Sequence, residues 1–197
     1  MIVAVVLAAG LSRRMGRRKL LEPIAGKPLV RWSVEGVPGL VDEIVVVTGP
    51  DNTAVRDALD GLPVRFAVNP RPEDGQGTSI AAGIGALTAG TEAALVVLAD
   101  QPWLPADVIP ALIAAFRRGG APIVAPVYRG VQGNPVLFAA PVFGELTGLS
   151  GDAGARQVVQ RDPARVACVE LDIDMPADVD TPDDLERLTA ARARRLE

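Results

Sequence analysis

Residues 2–19, IVAVVLAAGLSRRMGRRK, join a continuous apolar run to a loop of small and basic residues. The run at 2–8 is rich in β-branched residues and has no polar position, which is typical of a strand covered on both faces. Such strands occur mostly in parallel sheets that carry helices on either side. The stretch therefore predicts a layered α/β fold, and it puts five basic side chains after the first strand.

The strand-like pattern recurs along the whole chain. Further apolar runs lie at 43–49, 64–69, 93–100, 122–128, 134–140 and 166–172. Helical patterns occupy most of the intervals, at 28–37, 52–62, 78–90 and 105–119. This alternation predicts a mainly parallel sheet with right-handed crossovers. In the last third of the sequence the strands and helices no longer alternate regularly, which predicts one antiparallel strand. A length of 197 residues fits a single domain over 1–197.

The last helical pattern carries a start signal. Thr181 can cap the helix, Pro182 fits its first position, and Asp184 completes a capping box. We therefore expect a helix from Pro182 toward the end of the sequence.

Composition narrows the classes of function. Acidic residues outnumber basic ones and the formal net charge is -4, whereas nucleic-acid-binding domains normally carry a basic surface. The absence of histidine excludes an imidazole base and a His-rich zinc site. The one cysteine, Cys168, stands in the strand-like RVACVEL and is expected to be a buried thiol in a reducing compartment. The run at 2–8 is too short to span a bilayer, so we expect a cytoplasmic protein that binds neither nucleic acid nor membranes.

The loops after the predicted strands are candidates for ligand binding, because ligands of open α/β sheets bind at the carboxyl ends of the strands. The first of these loops matches neither the Walker pattern nor the dinucleotide fingerprint. Its small residues Ala8, Ala9 and Gly10 would still let the backbone approach a ligand, and Arg14 and Lys19 can reach a polyphosphate. The alternative is a solvated basic loop.

Two later loops also carry candidate groups. Asp100 ends the fourth strand, where a carboxylate can hold Mg²⁺ against phosphate oxygens or simply start a turn. The stretch GQGTS, residues 75–79, brings two glycines and two hydroxyls to a helix start, which can recognise a base edge or an anion. A simple helix cap by Thr78 or Ser79 is the alternative, and it leaves the glycines unexplained.

Seven motifs, taken in order over nearly the entire chain, resemble those of the MobA-like nucleotidyltransferases. They are LAAGLSRRMGRRKLL, GKPLV, GQGTSIAAGI, LADQPWL, GNPVLF, LSGDAGAR and DVDTPDDL. Within this family the chain is most similar to the molybdenum cofactor cytidylyltransferases. The resemblance implies a Rossmann-like three-layer sandwich of the nucleotide-diphospho-sugar transferase type. It also implies Mg²⁺-dependent transfer of CMP from CTP to a molybdopterin-type cofactor, with release of pyrophosphate.

The resemblance also implies roles for individual residues. Those expected to bind the nucleotide are Leu7, Ala8, Ala9, Gly10, Ser12, Arg14, Lys19, Asn69, Gly77, Thr78 and Ser79. Arg14, Lys19 and Asp100 would be catalytic, with Arg14 and Lys19 on the triphosphate and Asp100 on the metal.

The second metal-facing position falls in DVDTP, where side chains of an extended segment alternate, so only one of Asp178 and Asp180 can face the site. We favour Asp180, with a purely structural role as the alternative. The residues expected near the acceptor are Asn134, Gly151, Asp152 and Arg156, although Arg156 could equally form a surface salt bridge.

A phosphorylated acceptor would explain the missing histidines. A phosphate monoester has a second pKa of about 6, so it is largely a dianionic nucleophile near neutral pH and needs no general base. Three other functions stay open: guanylyl or nucleotidyl transfer to another phosphorylated acceptor, a carrier that delivers molybdenum cofactor to a recipient molybdoenzyme, and a basic arm for nucleic acid.

Overall fold

The computed structural model describes residues 1–11, 18–152 and 154–193, with side chains up to residue 190. Ser12 and Arg14 of the predicted site lie outside these residues. The strands of the described ranges are β1 Ile2–Leu7, β2 Pro23–Ile24, β3 Lys27–Pro28, β4 Glu43–Thr48, β5 Arg65–Val68, β6 Ala93–Leu98, β7 Ile123–Tyr128, β8 Val131–Gln132, β9 Val136–Ala139 and β10 Val166–Leu171. The α-helices there are α1 Leu29–Glu35, α2 Thr53–Ala58, α3 Gln76–Gly85, α4 Val108–Arg118, α5 Phe143–Thr147, α6 Arg156–Arg161 and α7 Pro182–Ala193.

The main sheet has the strand order β10-β7-β9-β6-β1-β4-β5, and β8 pairs with β7. Strand β9 runs antiparallel to both of its neighbours, β6 and β7, whereas β1, β4, β5 and β6 pair in parallel, as do β7 and β10. The predicted mainly parallel sheet with an antiparallel strand is therefore confirmed. The two-residue β8, which is antiparallel to β7, was not predicted.

Strand β1 lies near the middle of the sheet and is covered on both faces, as its sequence predicts. Val3 and Val5 pack into the layer that contains Ile80 of α3. Ala4 and Val6 pack into the opposite layer, with residues of α1 and α4. Each fully buried valine contributes roughly 1.5–3 kcal/mol, so this strand is a rigid base for the loop that follows it.

Helix α3 sits unusually close to the sheet because it contains Gly83. A Cβ atom on Gly83 would lie 2.4 Å from Val5 Cγ1 and 2.9 Å from Val47 Cγ2. Since helices of α/β units run back from the carboxyl ends of the strands, this contact fixes the first turn of α3 at that edge of the sheet.

Two local predictions had different outcomes. The capping box of α7 is confirmed: Asp184 N donates to Thr181 Oγ1 at 3.2 Å, and Thr181 N donates to Asp184 Oδ2 at 2.8 Å. The prediction of a buried Cys168 is wrong, because this thiol is exposed. Strand β10 lies at the edge of the sheet, and Cys168 and Glu170 lie on its exposed face. Among the helices described, none is long and apolar enough to cross a membrane.

Candidate active site

A cleft of about 510 Å³ opens at the carboxyl edge of the sheet, between the ends of β1 and β6 and the first turn of α3. The predicted site residues that line it are Leu7, Ala9, Gly10, Lys19, Ser79, Asp100, Asp152 and Asp180. Leu7 ends β1, and the other seven come from five predicted ligand loops, at 8–19, 69–79, 100–105, 148–156 and 173–181. The structure thus brings together residues that lie up to 173 positions apart in the sequence, from Leu7 to Asp180.

Lys19 lies between two carboxylates at one end of the cleft. Its Nζ atom donates to Asp100 Oδ2 at 2.8 Å and to Asp180 Oδ1 at 3.0 Å. Asp100 follows β6, Asp180 precedes α7, and Lys19 begins a short 3-10 helix after the first loop. Burial lowers the pKa of the Lys19 ammonium, but Asp100 and then Asp180 raise it by charge and hydrogen bonding, and the net pKa is above its ordinary value. Lys19 is therefore a cation throughout the physiological pH range.

The DVDTP segment crosses the end of β6 and presents its two aspartates differently. Val179 N donates to the Asp100 carbonyl oxygen at 3.1 Å, which joins this segment to the end of the strand. Asp180 points into the cleft, whereas Asp178 Oδ1 accepts a hydrogen bond from Gln101 Nε2 at 2.8 Å. This is the alternation expected for an extended segment.

The environment of Asp178 differs from that of a metal ligand. Burial raises the pKa of its carboxyl, and the charges of Asp100 and Asp180 raise it further, against the hydrogen bond from Gln101 and the charge of Lys19. Asp178 is exposed to solvent on one side, and its hydrogen bond with Gln101 suits a structural link between the DVDTP segment and the end of β6.

The two glycines of GQGTS serve a close approach between loops. A Cβ atom on Gly75, whose φ is +98°, would lie 2.3 Å from the Gly151 carbonyl carbon, and one on Gly77 would lie 2.7 Å from Ser150 N. Gly77 N donates to Gly151 O at 2.9 Å, and Gly151 N donates to Asp74 O at 2.9 Å. Neither Gly77 nor Gly151 lines the cleft. These contacts join residues 74–77, at the start of α3, to residues 150–151, beside the predicted acceptor residue Asp152.

Asn69 supports the first turn of α3 from below. It is 1% exposed, and its Nδ2 donates to Thr78 Oγ1 at 2.8 Å and to Ser79 Oγ at 3.0 Å. Its Oδ1 accepts from Arg71 N at 3.0 Å. Asn69, Thr78 and Ser79 are all predicted to bind the nucleotide, and of the three only Ser79 lines the cleft.

The remaining predicted residues lie outside the cleft lining. Ala8 is buried, and its N donates to the Val47 carbonyl oxygen at 2.8 Å. The Asn134 carbonyl oxygen accepts a hydrogen bond of 2.6 Å from the Tyr128 hydroxyl. Arg156 is exposed at the start of α6.

Six residues that were not predicted individually complete the lining. They are Leu11, Pro72, Glu73, Gly75, Gln76 and Leu98. Five of them stand in or beside the predicted ligand loops, so the loop assignment could have included them. Gln76 had a further signal, because it lies between the two glycines and begins α3. Its Oε1 would be 2.2 Å from a Cβ atom on Gly154, so that glycine makes room for the Gln76 side chain.

Asp100 and Asp180 could together hold a magnesium ion. Both carboxylates already contact one cation, the Lys19 ammonium, at 2.8 and 3.0 Å. Mg²⁺ is commonly bound by one or two carboxylates, with substrate phosphates and waters completing its shell. A closed cage of three or more metal-ligating side chains does not occur among the described residues. The two carboxylates thus fit a metal ion whose remaining ligands are phosphate oxygens and waters.

The sequence is similar to those of several known proteins. The chain is 29% identical over 208 residues to purine catabolism protein PucB of Bacillus subtilis strain 168, with 96% of this chain and 97% of that protein covered. It is 27% identical to the molybdenum cofactor cytidylyltransferase of Escherichia coli strain K12, with 93% of each covered. It is also 39% identical over 132 residues to the 2-C-methyl-D-erythritol 4-phosphate cytidylyltransferase of Streptomyces avermitilis, with 62% of this chain and 52% of that protein covered.

Solved structures are similar over almost the whole length. The Mycobacterium tuberculosis Rv0371c homolog from Mycobacterium sp. strain JC1 superposes with a TM-score of 0.87 at 30% identity, covering 100% of this chain and 98% of that one. The complex of Mycobacterium tuberculosis Rv0371c with manganese gives a TM-score of 0.81 at 26% identity, covering 96% and 97%.

The family model described as the MobA-like NTP transferase domain matches residues 4–166. That range includes most of β1, the first loop, residues 69–79 and Asp100, whereas Asp180 lies after it. With the strand order and the relatives in agreement, the chain belongs to the MobA-like NTP transferases and is a nucleotidyltransferase.

Proposed function

We propose that this enzyme uses Mg²⁺ to transfer CMP from CTP to a molybdopterin-type molybdenum cofactor, with release of pyrophosphate. One observation carries the chemistry: Lys19 from the first loop meets two carboxylates, at 2.8 and 3.0 Å, inside the cleft. A cation and a pair of metal-binding oxygens at one point are what transfer of a nucleotidyl group requires. The choice of acceptor is supported by the Escherichia coli relative, which matches over 93% of both chains.

The residues of the cleft would divide the work. Leu7, Ala9 and Gly10 would lie along the nucleoside, and Ser79 would contact it from the first turn of α3. Lys19, together with Arg14, would bind the triphosphate and neutralise the charge that develops on the leaving pyrophosphate. Asp100 and Asp180 would hold Mg²⁺, which when bound supplies positive charge to the phosphate oxygens.

The reaction would proceed without a general base. A phosphate oxygen of the acceptor attacks the α-phosphorus of CTP, and the bond from that phosphorus to the bridging oxygen of the β-phosphate breaks. Pyrophosphate leaves with the electron pair, and the acceptor and CMP become joined by a P–O–P link. Because the attacking monoester is largely dianionic near pH 7, no imidazole is needed, in agreement with a sequence that has no histidine.

The acceptor would bind on the side of the cleft formed by the 148–156 loop. Asp152 of this loop lines the cleft. Asn134 and Arg156 would shape the edge of the acceptor site from the neighbouring loops. A recipient molybdoenzyme would take the finished cofactor, and a cytoplasmic location would suit such a partner.

A second candidate is cytidylyl transfer to a smaller phosphorylated alcohol. The 39% identity with the 2-C-methyl-D-erythritol 4-phosphate cytidylyltransferase favours it, although the match covers 52% of that protein. Both candidates use the same cleft and the same triphosphate, so the acceptor is the point that an experiment must decide.

A pyrophosphate-release screen tests these proposals. Purified protein with Mg²⁺ is given CTP, GTP, ATP or UTP, each with molybdenum cofactor, with 2-C-methyl-D-erythritol 4-phosphate, or with no acceptor. We expect release only with CTP and molybdenum cofactor, and loss of release in Asp100→Asn. Release with another triphosphate or with the methylerythritol phosphate would overturn the assignment of substrate. Cofactor binding without any release would indicate a carrier instead.

A further inference from the structure

The position between Asp100 and Asp180 is already held by a cation of the protein itself. The Lys19 Nζ atom is 2.8 Å from one carboxylate and 3.0 Å from the other, and the Lys19 side chain is only 12% exposed. An ammonium at these distances forms charge-assisted hydrogen bonds with both carboxylates. The Lys19 ammonium therefore occupies the position between the two carboxylates that a metal cation would take.

A metal ion cannot take this position while the ammonium stays. Mg²⁺ binds carboxylate oxygens at about 2.0–2.1 Å, so an ion bound to the same two oxygens would lie next to Nζ. Two cations so close repel each other strongly in a partly buried site. The Lys19 ammonium would have to give up these two contacts, and the phosphate oxygens of a nucleotide could replace them.

We propose that Lys19 and the metal exchange places when nucleotide binds. Before nucleotide binds, the Lys19 ammonium pairs with both Asp100 and Asp180. The triphosphate arrives with its metal, the metal takes the two carboxylates, and Lys19 moves to the phosphate oxygens. This inference rests on the proposed nucleotidyl transfer and adds that Lys19 is a positioning residue for the metal as well as a ligand of the triphosphate.

The exchange links metal binding to nucleotide binding. Metal that arrives alone breaks the two contacts of Lys19 without the gain of phosphate contacts, so its affinity is lowered. Once a triphosphate is present, the displaced ammonium gains a new partner and the affinity rises. Such a link is reciprocal and typically changes affinity by about 5- to 150-fold.

Manganese binding to the nucleotide-free protein tests the proposal without any activity measurement. Free Mn²⁺ is followed by electron paramagnetic resonance during titration of the wild type, Lys19→Met, Arg18→Met and Asp100→Asn. We expect Lys19→Met to bind Mn²⁺ more tightly than the wild type by about tenfold, within the usual range for linked sites. Asp100→Asn should bind weakly.

Arg18→Met is the matched control for net charge. Arg18 is the neighbouring residue, carries the same charge, is exposed, and pairs with Asp51 rather than with the carboxylates of the cleft. Its loss removes one positive charge nearby but leaves Lys19 in place. We expect its Mn²⁺ affinity to stay within about twofold of the wild type, because exposed charges are well screened.

A second titration uses a CTP analogue that cannot be cleaved between its α- and β-phosphates. It should raise the Mn²⁺ affinity of the wild type far more than that of Lys19→Met. Two results would overturn the exchange. One is equal Mn²⁺ affinity of Lys19→Met and the wild type without nucleotide, and the other is an increase in Mn²⁺ affinity over the wild type that is the same for Lys19→Met and Arg18→Met. Lys19→Gln repeats the test if the methionine variant melts below the wild type. These outcomes do not depend on pyrophosphate release, so failure of the exchange and failure of the proposed transferase reaction are separate results.

Discussion

The close contact of α3 with the sheet gives a prediction whose size follows from two distances. In Gly83→Ala the new Cβ atom would lie 2.4 Å from Val5 Cγ1 and 2.9 Å from Val47 Cγ2. Both valines are fully buried in β1 and β4, so neither can turn toward solvent. Overpacking of a core costs up to about 3 kcal/mol, and the better helix propensity of alanine returns about 1 kcal/mol. We expect a net loss of about 2 kcal/mol, which lowers Tm by about 4–8 °C in a chain of this length.

The contact also carries an effect to the cleft, because the first turn of α3 holds Gln76 and Ser79. If α3 moves away from the sheet, these side chains move with it. We therefore expect Gly83→Ala to raise KM for the triphosphate more than it lowers kcat. Calorimetry and steady-state pyrophosphate release measure the two effects.

Gly85→Ala is the matched control for this prediction. Gly85 ends the same helix, and a Cβ atom there would meet no atom within 4 Å. This variant should be as stable as the wild type or slightly more stable, with an unchanged KM. If Gly83→Ala and Gly85→Ala melt together, the space between α3 and the sheet is not limiting and the reasoning is wrong.

Three further predictions concern single side chains. Asp178→Asn keeps an acceptor for the hydrogen bond from Gln101, so its activity should stay within a few-fold of the wild type. Asp180→Asn should lose activity by about a hundredfold or more if Asp180 holds the metal. Equal losses of activity in the two variants would contradict this. Thr181→Ala should cost about 1 kcal/mol in urea unfolding through loss of the α7 cap. Hydrogen bonds from the Thr181 hydroxyl, from the backbone N–H groups of Thr181 and Asp180 and from Arg187 lower the pKa of Asp184 to about 2. The stability that these bonds confer is present above the unfolded pKa near 4 and is lost as pH falls from about 4 to 2; a pH-independent difference between Thr181→Ala and wild type would oppose the share carried by the Thr181 hydroxyl. Cys168 should react with a thiol reagent in the native protein and without loss of activity, and protection until unfolding would show that it is buried.

The architecture was predictable because each strand carries its own local signal. Continuous apolar runs such as 2–8 and 93–100 occur where a strand is covered on both faces, and the structure places both in the middle of the sheet. Strand β10 is different, because it lies at the sheet edge and one of its faces is exposed. An apolar sequence around Cys168 could not reveal that this face is exposed, since coverage depends on strand order.

The sequence predicted which loops form the candidate site better than it predicted which residues of those loops line the cleft. Lys19, Asp100 and Asp180 were predicted and lie together in the cleft. Gly77 was expected at the nucleotide, but it packs against Ser150. A glycine indicates that something approaches closely. It does not say whether the approaching group is a ligand or another loop, and here the partner lies 73 positions later in the sequence, at Ser150.

The charges of the cleft indicate why the proposed reaction would use a metal ion as well as Lys19. Asp100 and Asp180 carry two negative charges against the one positive charge of Lys19, and the carboxylates of Glu73 and Asp152 also line the cleft. A triphosphate adds several negative charges that Lys19 alone could not balance. A divalent metal on Asp100 and Asp180 would offset the charge of both carboxylates and would let the Lys19 ammonium contact the phosphates. The same two carboxylates would thus keep the lysine in place before binding and hold the metal after it, and a histidine would add nothing to either state.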